Sequence, residues 1–246
     1  IQVTSKLQKW IDDKIAVTLK PIKDDLDDAI PSAVRSIAFN LFNLLGTQIT
    51  EKYQKEIKNF SAESKSAISK LGIRIGAKFF FMPNFLKKNA MELNAMLWKI
   101  FNQPKETTPY PLPRDGRVSF VPTISMPTSY WLAIGYICID NFAVRVDIFE
   151  RIFFLARQKI KSGPFIESSD LMNPIGCNSE QLSNILLFCG YNHITLGDEK
   201  KIFFYEYKNQ INFSKLSLSK KKKIIKTNKK QIRKKKLLKT DPNSPF

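Results

Sequence analysis

The run Phe79-Phe-Phe-Met82 and the residues after it constrain this chain most. Four consecutive large apolar side chains, closed by Pro83, are too short for a helix and read as a brief strand or tight apolar turn. Directly beyond the proline the period changes. Leu86, Ala90, Leu93, Leu97 and Ile100 recur at steps of four and three, while Lys87, Lys88, Glu92 and Lys99 fall elsewhere on the wheel. A proline costs nothing at a helix start, because the first amides have no intrahelical partner. Upstream, Gly72 and Gly76 bracket Ile73-Arg74-Ile75, which adds a second short extended piece. Arg74, Lys78, Lys87 and Lys88 therefore place positive charge around an aromatic knot.

The preceding residues read as helices. Leu7, Ile11, Ile15, Leu19 and Ile22 form one stripe with Trp10 beside it. Asp24, Asp25, Asp27 and Asp28 suit the approach to a helix N-terminus, and lack the spacing of a calcium loop. Pro31 opens a second helix with Val34, Ile37, Ala38, Leu41, Phe42 and Leu45 on its buried face, and Gly46 stops it. A third, more polar helical region covers Ile49 to about Lys70. Trp98 admits two readings, a core ring or a surface on which nucleobases stack.

Six prolines between Pro104 and Pro127 make residues 104–128 a linker or a strap. Beyond them Tyr130 to Ile139 has strand composition, and Val144, Ile148, Ile152 and Leu155 define a helix ending before Gly163-Pro164. Asn178 precedes Gln181 at capping-box spacing, and Leu182, Ile185, Leu186 and Cys189 give the next helix its apolar face. Two runs flanking Gly197-Asp-Glu199 then signal a hairpin. The fold expected is mainly α: a helical bundle domain (1–103), the proline-rich segment (104–128), a small α+β winged-helix-like module (129–212) and a disordered basic tail (213–246).

Charge is concentrated in that tail. Thirteen of the 40 Lys and Arg lie between Lys215 and Lys239 with no acidic residue among them, leaving 27 basic against 22 acidic residues elsewhere. Lys220, Lys221, Lys222, Lys223, Lys229, Lys230, Arg233, Lys234, Lys235 and Lys236 are the tail residues expected to contact phosphates by displacing counterions. Nucleic acid is the first partner such a run implies, an anionic membrane surface the second.

Chemistry of other kinds is not encoded. There is no G-x-x-x-x-G-K-[ST] loop, and Gly72-Ile-Arg-Ile-Gly76 lacks the lysine and hydroxyl that would make it one. His193 is the single histidine and has no nucleophile at telling spacing. Cys138, Cys177 and Cys189 are too scattered for a zinc site or disulfide framework, which points to a reducing cytoplasm. Asp12-Asp13, and Asp147 with Glu150 and Arg151, read as surface ion pairs on helices. No catalytic or metal-binding residue is assigned, and no uncharged apolar run is long enough for a membrane span.

The segment L-G-I-R-I-G-A-K-F-F-F-M-P-N-F-L-K with its following helix ending in L-W resembles a block in the C-terminal region of alphaproteobacterial superfamily 2 helicases related to the mitochondrial degradosome RNA helicase. Ala143-Val-Arg-Val-Asp147 leading into Phe149-Glu-Arg151, Gly176-Cys-Asn-Ser-Glu180 leading to Phe188-Cys-Gly-Tyr191, and Asp241-Pro-Asn-Ser-Pro-Phe246 extend the likeness over nearly the whole chain in order. Asn89 departs from it, standing where a proline or small residue is expected. The resemblance implies an accessory part of an ATP-dependent RNA or DNA helicase. Its motor, using ATP and Mg²⁺, would lie upstream of Ile1 in a longer polypeptide, so these residues alone need no cofactor and should hydrolyse no ATP. Single-stranded RNA is the favoured partner, and no membrane is. The alternative is a stand-alone basic adaptor that binds nucleic acid or scaffolds a partner without enzymatic activity.

Overall fold

In a computed structural model of the chain, the structure describes residues 2–18, 30–102, 110–196 and 201–205. Contacts gather Ile1–Tyr205 in one unit. The basic tail, the acidic cluster at 24–28 and the first prolines of the proline-rich segment lie outside the described residues. The protein is mostly helical with small antiparallel sheets.

Helix α1 (Gln2–Thr18) lies against α5 (Lys88–Asn102). Its expected stripe is only partly covered: Ile11 and Ile15 are half-buried, whereas Leu7 and Trp10 face solvent. Helix α2 (Ser32–Asn43) starts after Pro31 and buries Val34, Ile37, Ala38 and Leu41. It is released by Leu45 and Gly46, both at positive φ (61° and 93°). A side chain at Gly46 would meet the Phe85 ring at 1.9 Å, so close approach as well as backbone conformation requires glycine there.

The polar helical region is broken into pieces. Strand β1 (Thr47–Ile49) leads through a 3-10 turn into α3 (Gln54–Lys58), and α4 (Ala62–Lys70) follows. The Ser61 hydroxyl caps α4 by accepting the Ser64 amide at 3.1 Å.

Strands β2 (Arg74–Ile75) and β3 (Phe79–Phe81) complete the first sheet in the order β1-β3-β2, with Gln48 opposite Phe80 and Ile75 opposite Phe80 on the other side. All three residues of β3 are buried. Side chains alternate across a strand, so Phe79 and Phe81 enter one core, and Phe80, followed by Met82, enters another. The first core also takes Val144, Val146, Phe149, Ile152, Leu182, Leu186 and Phe204; the second takes Val34, Ile37, Leu41, Ile68 and Phe85. Pro83–Leu86 forms a 3-10 turn, so α5 begins two residues later than its apolar period implies.

A third cluster joins α5 to the residues after the prolines. Tyr130, Trp131, Ile134 and Tyr136 pack on Met91, Ala95 and Trp98. Here the structure corrects the expected strand over Tyr130 to Ile139. Residues Thr128–Ala133 form helix α6, with the Pro127 carbonyl accepting the Tyr130 and Trp131 amides, and only Tyr136–Ile139 is strand (β5). Burial of both rings in this cluster overrides their β preference. Strand β6 (Phe142–Arg145) pairs with β5 and with β4 (Ser119–Phe120), in the order β4-β6-β5. The described part of the proline-rich segment runs over α6: the Pro111 carbonyl accepts the Tyr130 hydroxyl at 2.9 Å.

Helix α7 (Val146–Lys161), β7 (Phe165–Ile166), α8 (Ser169–Met172), α9 (Ser179–Phe188), β8 (Asn192–Leu196) and β9 (Lys201–Tyr205) complete the described residues, with strand order β7-β9-β8. Asn178 and Gln181 form the capping box their spacing foretold, at 2.8 and 3.0 Å. Among the described residues no helix is long and apolar enough to cross a membrane.

Candidate nucleic-acid interface

A groove of about 590 Å³ lies between the β2–β3 turn and the outward face of α7. Arg74, Ile75, Gly76, Ala77, Phe81 and Pro83 form one side; Asp147, Glu150, Arg151, Phe153, Phe154 and Arg157 form the other. The helical period puts residues 147, 150, 151, 154 and 157 on one face of α7, so one helix supplies a whole wall.

Glu150 fixes the two walls together. Its Oε1 accepts the Lys78 and Phe79 amides at 2.7 and 2.6 Å, and its Oε2 accepts the Ala77 amide at 2.8 Å. Three successive backbone N–H groups thus converge on one carboxylate, the arrangement by which a turn of backbone holds an anion. The turn is braced from behind by the Thr50 amide, which donates to the Lys78 carbonyl at 2.8 Å. The Thr50 hydroxyl adds a bond to the Gly76 carbonyl at 3.2 Å. Gly76 acquires its reason here. A Cβ at that position would stand 2.3 Å from the Glu150 carboxyl carbon.

Asp147 is likewise occupied. Arg145 donates to it from Nε at 2.7 Å and from Nη2 at 2.9 Å, a two-pronged pair that also raises the Arg145 pKa from its ordinary value. The expected ion pairs of Asp147 and Glu150 with Arg151 are thereby corrected. Arg145 takes the first carboxylate and backbone amides take the second. Among the described residues no carboxylate pairs with Arg74, Arg151 or Arg157.

Aromatic rings interleave with these cations. Phe153 carries Lys78 Nζ and Arg157 Cζ, each 5.7 Å from its centroid, within cation–π range. Phe154 is 59% exposed in the groove, three residues from Arg151 and three from Arg157. Behind the groove, burial pushes the Cys189 thiol up to about 12, with Lys78 opposing and Glu150 adding to the shift.

Of the basic residues expected to bind phosphate, Arg74 lines this groove and Lys78 sits at its edge over Phe153. Lys87 and Lys88 are exposed at the start of α5 and do not line it. The ten tail residues lie outside the described residues. Trp98 is 8% exposed, its Nε1–H donating to the Ser129 hydroxyl at 3.2 Å between the Tyr110 and Tyr130 rings, so it is a core residue. Arg157, Phe153 and Phe154 line the groove without belonging to the expected set, although a phenylalanine flanked by arginines at minus three and plus three on a polar helix face is a readable signal. Among the described residues no cluster of His, Cys, Asp or Glu could hold a metal ion. No family model, curated protein or solved structure matches this chain.

Proposed function

We propose that this chain binds single-stranded nucleic acid through its phosphates, as the accessory part of an ATP-dependent helicase whose motor lies elsewhere in the same polypeptide. One observation carries the binding reading. Arg74, Arg151 and Arg157 converge on one groove while both carboxylates lining it are occupied by Arg145 and by backbone amides. Guanidiniums without acidic partners, beside exposed aromatic surface, suit a phosphodiester backbone with unpaired bases. The basic tail would extend the same contact by counterion release.

The order α7, β7, α8, α9, β8, β9 with sheet order β7-β9-β8 supports reading the module at 129–212 as winged-helix-like. Helix α9, SEQLSNILLF, carries no Lys or Arg. A duplex-reading helix would present base-contacting and phosphate-contacting side chains there, so the α7 wall is the better candidate surface. Helicase membership and a cytoplasmic setting rest on the sequence resemblance and on the reduced cysteines.

The test is the salt dependence of binding to a labelled oligouridylate, followed by fluorescence anisotropy. Each lost contact to a single strand lowers the slope of log K against log salt by about 0.7, so Arg74→Ala/Arg151→Ala/Arg157→Ala should lower it by about 2. An unchanged slope refutes the groove. ATP hydrolysis by the purified chain would refute the accessory role and leave an enzyme in its place.

A further inference from the structure

Phe154 has no structural duty that its position explains. It is more than half exposed, belongs to none of the buried clusters, and occupies the outward face of a helix whose other side supplies Val146, Phe149, Ile152 and Ala156 to the core. Singly exposed apolar side chains are common, so what marks Phe154 is its place in a groove lined by cations rather than its exposure. What could cover it is set by its surroundings. Arg151 and Arg157 flank it along α7, Arg74 faces it across the groove, and Ile75, Phe81 and Pro83 give the groove an apolar lining. A ring rimmed by three cations suits a ligand that is flat and apolar at its centre and anionic at its edges. An aliphatic lipid tail lacks the flat face, and an acidic peptide does not place an anion on either side of every ring as a nucleotide strand does.

We propose that Phe154 is the stacking platform for one unpaired nucleobase, with the flanking phosphates on Arg74, Arg151 and Arg157; this rests on reading the groove as the nucleic-acid site. Stacking requires a base that is out of a helix, so the platform selects single strands over duplex, whereas the arginines alone would accept either. Glu150 is a positioning residue in this scheme, since its three amide bonds hold the wall bearing Arg74 opposite the helix bearing Phe154.

The experiment uses the full chain and three labelled probes of equal length: oligouridylate, the same ribose-phosphate backbone without bases, and an RNA duplex. Salt is set high enough to weaken contacts made by the tail. Phe154→Ala should lose about tenfold on oligouridylate and nothing on the abasic strand, while Phe154→Tyr keeps the wild-type difference between them. Because the ring is exposed, the thermal midpoint of Phe154→Ala should match wild type.

Equal affinity of the wild-type chain for base-bearing and abasic strands overturns the stacking proposal while leaving the arginine groove intact. Arginine variants that change affinity for none of the probes overturn the groove reading and the stacking proposal together. Competition by free uridine 5′-monophosphate at concentrations matching those of the strand overturns the strand in favour of a small-nucleotide site.

Discussion

Replacing Glu150 by alanine removes the acceptor for three backbone amides at once. The Ala77 amide is exposed and can turn to water, so its loss costs little. The Lys78 and Phe79 amides are partly buried, and each left without a partner costs about 1–3 kcal/mol. The expected destabilisation of Glu150→Ala is therefore about 2–6 kcal/mol. Glu150→Gln keeps an oxygen for the two costly amides but turns an NH₂ toward the Ala77 amide, so it should fall between wild type and alanine. Urea unfolding read by tryptophan fluorescence measures the difference. With a slope of about 2 kcal/mol per molar, the midpoint for alanine should drop by about 1–3 M. Gly76→Ala supplies the complementary test. Its new methyl would collide with the same carboxylate, so its cost should shrink in the Glu150→Ala background, giving a coupling energy in a double-mutant cycle. A Glu150→Ala stability within about 0.5 kcal/mol of wild type would refute the idea that this residue joins the turn to α7.

Two further outcomes follow from burial. Trp98→Ala should destabilise by about 3–5 kcal/mol, seen in the same urea assay, with oligouridylate affinity unchanged under conditions where the variant is folded. Burial pushes the Cys177 thiol up to about 11 and Cys189 up to about 12, so both should resist the aromatic disulfide reagent DTNB at pH 8 until the chain is unfolded. The folded state holds these protons more tightly than the unfolded state, whose thiols titrate near 9. Stability should accordingly fall as pH rises from about 9 toward 12, and a flat profile over that window would contradict their burial.

What could be read from the sequence divides according to how far apart the interacting residues lie. The helical face of α2, the Asn178 capping box and the release of α2 at Gly46 are local patterns, and each is present; the α5 face is present in Ala90, Leu93 and Leu97, whereas Ile100 is exposed. Val144 in strand β6 mimics the start of a helix, because it falls at helical spacing from Ile148 and Ile152 while its actual partners, Ile137 and Ser119, come from other strands. Gly76 and Glu150 are separated by 74 residues in the chain, and neither suggests the other. Arg74 looked basic and exposed from its own neighbourhood, and so did Lys87 and Lys88. Only the packing of α7 against β3 shows that Arg74 shares a groove with Arg151 and Arg157 and that the two α5 lysines do not.

The three rings of β3 serve two interiors in turn, so neither interior is sealed by its own stretch of sequence. Whatever melts the amino-terminal helices must also strip Phe79 and Phe81 from the carboxyl-terminal side, and the reverse holds for Phe80. Heating should therefore produce one transition rather than two. A truncated version beginning after Leu86 would bring to solution a hollow shaped for rings that it no longer owns.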